Sequence, residues 1–175
     1  MVASMPRIRD LDIPEAFYLV MREPAPLAGM RQPSSNTPWS GLYQLGLLKV
    51  ICLTENQPDY LPDPLSIAGH FPMQDLYQGV LPEDPRRELE SVNQAAGLAI
   101  SLIKQKVGVV VHCAGGTGRT GTVIGCGLRG LGYNSSDILS YFEQLNRLRG
   151  ARSGWPESAW QAEMIRNYVD TQGRY

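Results

Sequence analysis

The stretch Val107-Gly-Val-Val-Val-His112-Cys113-Ala-Gly-Gly116-Thr-Gly118-Arg119-Thr120-Gly121 decides how this chain folds. Val107–Val111 is a short, uncharged, β-branched run, the pattern of a strand buried on both faces. It delivers Cys113 into a glycine-rich turn, and helix-compatible sequence follows Arg119. A loop between a strand end and a helix N-terminus turns backbone N–H groups toward one centre and adds the positive end of the helix dipole. Glycines let the backbone curl that tightly. The residues Ala114, Gly115, Gly116, Thr117, Gly118 and Arg119 therefore read as a cradle for a dianion, with the Arg119 fork closing on two phosphate oxygens. Cys113 sits in the same positive field, and a thiolate beneath a bound phosphate is the arrangement needed for covalent phosphoryl transfer.

Three other readings compete. Gly116-Thr-Gly118-Arg-Thr-Gly121 also fits the dinucleotide fingerprint, which needs a second strand ending in an acid about 20 residues on. The downstream sequence reads instead as helices, and Asp137 stands at a helix start. A Walker-type loop lacks its Gly-Lys-Ser/Thr. A structural thiol in a tight turn leaves Arg119 and the glycines unexplained.

Working outward, the 175 residues suffice for one domain, with 43% hydrophobic and 19% charged residues and a net charge of −1. That charge gives no reason to expect a nucleic-acid-binding surface. The apolar runs are too short to span a bilayer. The N-terminal stretch has no hydrophobic core of a signal peptide, so the expected location is cytoplasmic. Cys52, Cys113 and Cys126 make no disulfide framework. No metal-ligand cluster is visible, and no cofactor is expected. The whole chain, 1–175, reads as a single domain with residues 1–12 loosely ordered.

Strands are predicted over Phe17–Met21, Leu27–Met30, Leu48–Leu53 and Leu65–Phe71, besides the run before Cys113. A first helix is predicted from Pro38, with Thr37 as N-cap, to about Gly46. Asp84-Pro85 starts a long helix to about Lys106, with Leu89, Val92, Ala96, Ala99 and Ile103 along its apolar face. Further helices are predicted over about 120–131, over 134–149 capped by Asn134, and from Pro156 to about Thr171. The pattern is α/β: a central, mostly parallel sheet flanked by helices on both faces. The loop after Cys113 then lies outside the carboxyl end of a strand, the usual ligand position in such sheets.

His112-Cys113-x5-Arg119-Thr120-Gly121, with Gly116 and Gly118, resembles the signature of the cysteine-dependent protein tyrosine phosphatase superfamily, compact dual-specificity type. The resemblance implies a dual-specificity phosphatase-like fold and a general acid from a loop upstream of the cysteine, because an alkoxide or phenoxide leaves slowly unless protonated. His70-Phe-Pro72-Met-Gln-Asp75 occupies that place and is similar to the Pro-x-x-Asp segment of the cyclin-dependent kinase-associated phosphatase and small microbial tyrosine phosphatases. Asp75 is therefore the expected acid. Its rival, Asp84, is already explained as an N-cap. The stretch Leu76–Leu81 is longer than in those families. The Thr120 hydroxyl is placed to donate to the Cys113 sulfur, or else serves the helix N-terminus. His112 points away from the cradle and orders the loop. His70 reads as a strand-end histidine with a satisfied hydrogen bond. Glu157 and Gln161 fall on the two polar positions of the superfamily's glutamine-bearing loop, where they would position the hydrolytic water. Cys52 and Cys126 read as core residues. Some superfamily members protect an oxidised nucleophile with a second cysteine, and Cys52 is then the candidate, subject to strand register.

The expected activity is phosphate-monoester hydrolysis through a cysteinyl-phosphate, on a phosphorylated protein carrying phosphotyrosine, with phosphoserine and phosphothreonine admitted by a shallow pocket. The uncharged loop argues against the inositide-specific branch. Alternatives are a non-protein phosphatase acting on an inositide, nucleotide, glycan or RNA end, or a phosphate-reading adaptor without turnover. Neither a nucleic-acid nor a membrane partner is expected, and the chain is expected to be a monomer.

Overall fold

The computed structural model describes residues 15–150 and 154–170. The expectation of a loosely ordered N-terminal dozen lies outside them. Five strands, β1 (Phe17–Met21), β2 (Leu27–Met30), β3 (Leu47–Cys52), β4 (Ser66–His70) and β5 (Gly108–His112), form one sheet in the order β1-β2-β5-β3-β4. Only β1 runs antiparallel to its neighbour; the other pairs are parallel. The helices are α1 (Trp39–Gln44), α2 (Pro85–Lys104), α3 (Gly118–Gly130), α4 (Ser135–Leu148) and α5 (Ala159–Asn167). Among the described residues no helix is long and apolar enough to cross a membrane.

The central position of β5 explains its composition. Val109 and Val111 face one core with Ile51, Leu53 and residues of α2 to α5, while Val110 faces the other with Val50, Phe17 and Leu42 of α1. A strand covered on both sides needs apolar residues at every position, and each such valine contributes about 1.5–3 kcal/mol relative to exposure. Gly125 and Gly130 account for the close packing of α3, because a Cβ there would collide with Ile165 and Ile100 respectively.

The expected elements are present, with instructive displacements. α1 starts at Trp39 and its N-cap is Pro38, without a side-chain bond. The Thr37 hydroxyl instead accepts from the Ser34 amide at 2.9 Å, closing the turn upstream. On α2, Asp84 caps as expected, accepting from Arg87 N at 3.1 Å. The inward side at its start is taken by Glu88, 7% exposed, while Leu89 is 43% exposed. The last helix begins at Ala159, not Pro156. Gln161 explains the delay: its Oε1 accepts from the Glu157 and Ser158 amides at 2.8 and 3.3 Å, so the helix opens after Ser158.

Candidate active site

The end of β5, the loop 114–117 and the start of α3 make one continuous cradle. Every carbonyl in it is drawn outward. Ala114 O accepts from Gln32 N at 2.9 Å. Gly115 O accepts from Arg149 Nη2 at 2.9 Å. Gly116 O accepts from Arg149 Nη1 at 3.0 Å and from the Tyr18 hydroxyl at 2.8 Å. Thr117 O and Gly118 O accept from Gly121 N and Thr122 Oγ1, at 2.8 and 2.7 Å. By contrast, the N–H groups of residues 114–119 have no protein acceptor among the described residues. Backbone donors must go somewhere, and here they are left to a bound anion.

Two glycines in the loop are required by geometry. Gly116 has φ +72°, and a Cβ on it would lie 2.6 Å from the Met30 carbonyl carbon. A Cβ on Gly118 would collide with the Glu157 carboxylate and lie 2.7 Å from Gln161 Nε2. Glu157 and Gln161 therefore approach the cradle over a backbone with no side chain in the way. Gln161 Nε2 is buried and has no hydrogen-bond partner among the described residues.

Cys113 is 2% exposed and forms the floor of an open cavity of about 360 Å³. Arg119, Asp75, Glu157, Tyr77, Arg31 and Glu15 share that cavity. Arg119 is 8% exposed; its Nη1 donates to Met73 O at 3.2 Å and its Nη2 lies 3.2 Å from Asp75 Oδ2. The loop bearing Asp75 is tied down from behind, since Glu88 accepts from Gln74 N at 2.9 Å. Burial pushes the Glu88 carboxyl above its ordinary range, against the pull of that bond and of Arg87 and Arg119. Asp84 lies elsewhere, lining a separate cavity with Glu55 and Arg87.

His112 is fully buried behind Cys113. Its Nδ1 donates to Cys113 O at 3.2 Å, and its Nε2 accepts from the Tyr60 hydroxyl. Burial lowers the imidazole pKa to about 4, partly opposed by the bond to Cys113 O and assisted by Arg119 and His70. The ring is thus neutral at pH 7, in the tautomer its two bonds require. Tyr60 stacks on Trp39 at 5.6 Å between centroids, which fixes this chain of contacts. Burial raises both the Tyr60 and Tyr18 phenols, keeping them as donors.

The DSP-PTPase phosphatase domain of Swiss Army Knife proteins, PTP-SAK, matches residues 16–163. The chain belongs to this family. It is a phosphatase domain of the cysteine-dependent tyrosine phosphatase superfamily, with the compact dual-specificity fold. Among solved structures, the catalytic domain of the PP-IP phosphatase SIW14 from S. cerevisiae is similar with a TM-score of 0.57 and 19% identity, over 83% of this chain and 82% of that one. Tk-PTP in its active form gives 0.58 and 20%, over 82% and 92%. PTPMT1 in complex with PI(5)P gives 0.57 and 12%, over 81% and 88%. At these identities the likeness is one of fold. No curated protein matches the chain by sequence.

The phosphatase brings Cys113, Arg119, Asp75 and Glu157 to one cavity, with Gln161 directly behind Glu157. Thr120 Oγ1 is buried with no hydrogen-bond partner among the described residues, so neither bond expected of it, to the Cys113 sulfur or to the helix N-terminus, is present in the resting site. Strand register decides the Cys52 alternative. Cys52 cannot protect Cys113 in this fold. It is in register with His112, and its thiol bonds Thr54 Oγ1 at 3.1 Å on the Tyr60 side of the sheet. Cys113, one residue on, faces the opposite core with Ile51 and Leu53. Cys126 is buried in α3, and burial raises its thiol pKa far above the ordinary range. His70 Nε2 is satisfied by Thr54 O at 2.7 Å. Sequence reasoning missed Arg149, Tyr18 and Tyr60. No local motif marks them; each reaches the loop from a remote part of the chain.

Proposed function

We propose that this phosphatase hydrolyses phosphate monoesters on proteins, phosphotyrosine first, through a cysteinyl-phosphate. The observation that carries the substrate class is the rim of the cavity: Glu15, Asp75 and Glu157 stand beside Arg31 around a loop without charged residues at 114–118. A single phosphate meets the amides and the Arg119 fork. Any further phosphate on the same molecule meets a rim on which three carboxylates accompany Arg31, which disfavours polyphosphorylated substrates.

In the proposed reaction the amides of residues 114–119 and the Arg119 guanidinium hold the phosphate oxygens. The Cys113 sulfur attacks phosphorus, and an S–P bond forms as the ester P–O bond breaks. Asp75, beside Arg119, gives its proton to the departing oxygen. Water then attacks the cysteinyl-phosphate. Asp75 takes a proton from that water, Glu157 and Gln161 orient it, and the Cys113 thiolate leaves. The Thr120 hydroxyl, with no other partner, is available to the sulfur at that stage. The cradle stabilises the charge on the equatorial oxygens throughout.

The test is a panel of matched phosphotyrosine and phosphothreonine peptides with mono- and polyphosphorylated inositols, assayed in EDTA. The expected order puts the phosphotyrosine peptide first. Turnover confined to the inositol phosphates would overturn the protein-substrate reading.

A further inference from the structure

Asp75 does not stand alone on its loop. Its Oδ1 accepts from the Tyr77 amide at 3.2 Å, while Oδ2 faces Arg119. Met73 and Leu76 are buried on either side of Asp75 and anchor the segment. Directly after Tyr77, Gln78 and Gly79 take left-handed backbone, with φ 61° and +82°, and turn the chain back. The Tyr77 side chain is left 45% exposed, on the wall of the cavity whose floor is Cys113. This is the stretch after Asp75 that is longer than expected.

We infer that Tyr77 is a specificity-determining residue that selects aryl phosphates by stacking on the leaving group. The inference rests on the proposed function above and deepens it. A general acid must touch the ester oxygen, so whatever carries that oxygen sits beside Asp75. The hydrogen bond between Asp75 and the Tyr77 amide fixes the Tyr77 backbone beside that point, and the Tyr77 side chain lines the same cavity as Asp75 and Cys113. A phosphotyrosyl ring presents a flat apolar face at the depth of this wall, and offset or edge-to-face contact of two aromatic rings is favourable. A phosphoserine side chain has no such face, and an inositol ring offers hydroxyls rather than a flat apolar face to the Tyr77 ring. The contact to Asp75 uses backbone N–H, so changing the Tyr77 side chain leaves the acid's tether in place.

The test compares wild type with Tyr77→Ala, Tyr77→Phe and, as a control on the same loop but outside the cavity, Leu81→Ser. The measurements are kcat/KM on a phosphotyrosine peptide and competitive inhibition by vanadate, which carries no leaving group. Tyr77→Ala is expected to lower kcat/KM on the peptide by about 3- to 10-fold, chiefly through KM, the size of one aromatic contact. Vanadate inhibition should not move. Tyr77→Phe should retain most of the wild-type value, and Leu81→Ser should resemble wild type. Equal losses on peptide and vanadate would mean a structural role for the loop and overturn the inference, as would an unaltered Tyr77→Ala. A wild-type protein inactive on the peptide but active on inositol phosphates would instead sink the protein-substrate reading, and this inference with it.

Discussion

Arg149→Met removes the donors that hold the cradle open while keeping most of the aliphatic bulk. Arg149 is 8% exposed and stands 4.9 Å above the Tyr18 ring. Its Nη2 donates to Gly115 O and Glu15 O, both at 2.9 Å, and its Nη1 to Gly116 O and Thr117 Oγ1, both at 3.0 Å. Methionine leaves the Gly115 and Glu15 carbonyls to find water, while Gly116 O retains the Tyr18 hydroxyl. One or two under-satisfied carbonyls and a lost cation–π contact add to about 3 kcal/mol. For a chain of this size that lowers Tm by about 6–12 °C. The catalytic effect is separate. A carbonyl no longer held outward can rotate into the cradle and replace a donor with an acceptor. One lost donor in a charge-stabilising site costs about 10²-fold or more, so kcat/KM on an aryl phosphate should fall by about that factor at temperatures where the variant is folded. Thermal unfolding and steady-state kinetics on the same preparation read both quantities. A lowered Tm with wild-type kcat/KM would refute the reasoning: Arg149 would then be core packing, and the loop would hold its shape without it.

Three further outcomes are expected. Asp75→Asn should cut turnover strongly on alkyl and simple phenyl phosphates and much less on an activated aryl phosphate, whose anion leaves unaided. A loss independent of the leaving group, or an equal pattern in Asp84→Asn, would remove Asp75 as the acid. Arg119→Lys keeps the charge and loses the fork, so binding and rate should both fall severely; near-normal activity would reduce Arg119 to a general electrostatic contributor. His112 has its pKa lowered to about 4 in the folded chain. Its ordinary value is about 6.5, so only the unfolded state takes up the proton as pH falls below that point. Stability is then full above about pH 6.5 and lost progressively toward about pH 4, by up to about 3 kcal/mol. Denaturant titrations across that window should show a shallower pH slope in His112→Asn; an identical slope would assign the loss to other groups.

Much of the site was legible because it is local. The strand Gly108–His112, the cradle and the start of α3 occupy one run of sequence, and Asp84-Pro85 and Asn134 carry their own capping signals. What was not legible depends on distant partners. Arg149 meets Gly116 across 33 positions and Tyr18 meets it across 98, so nothing near either residue announces the contact. The side of the sheet taken by Cys52 turns on one residue of register. The late start of α5 depends on Gln161 capturing two amides ahead of it, a competition that the proline rule does not see. Glu88 takes the inward side of α2 in place of Leu89, where its carboxylate accepts from the Gln74 amide of the loop bearing Asp75, a contact 14 positions away that helical periodicity does not reveal.

The central claim is that Cys113 carries the phosphoryl group. Rapid quenching of wild-type enzyme with a ³²P-labelled aryl phosphate, followed by peptide mapping, tests it directly. The account predicts an acid-trapped phosphate on the peptide containing Cys113, formed at least as fast as turnover. Cys113→Ser should still bind vanadate or phosphate, form no such adduct and lose activity by several orders of magnitude. Turnover at the wild-type rate in Cys113→Ser, or label on another residue, would contradict it.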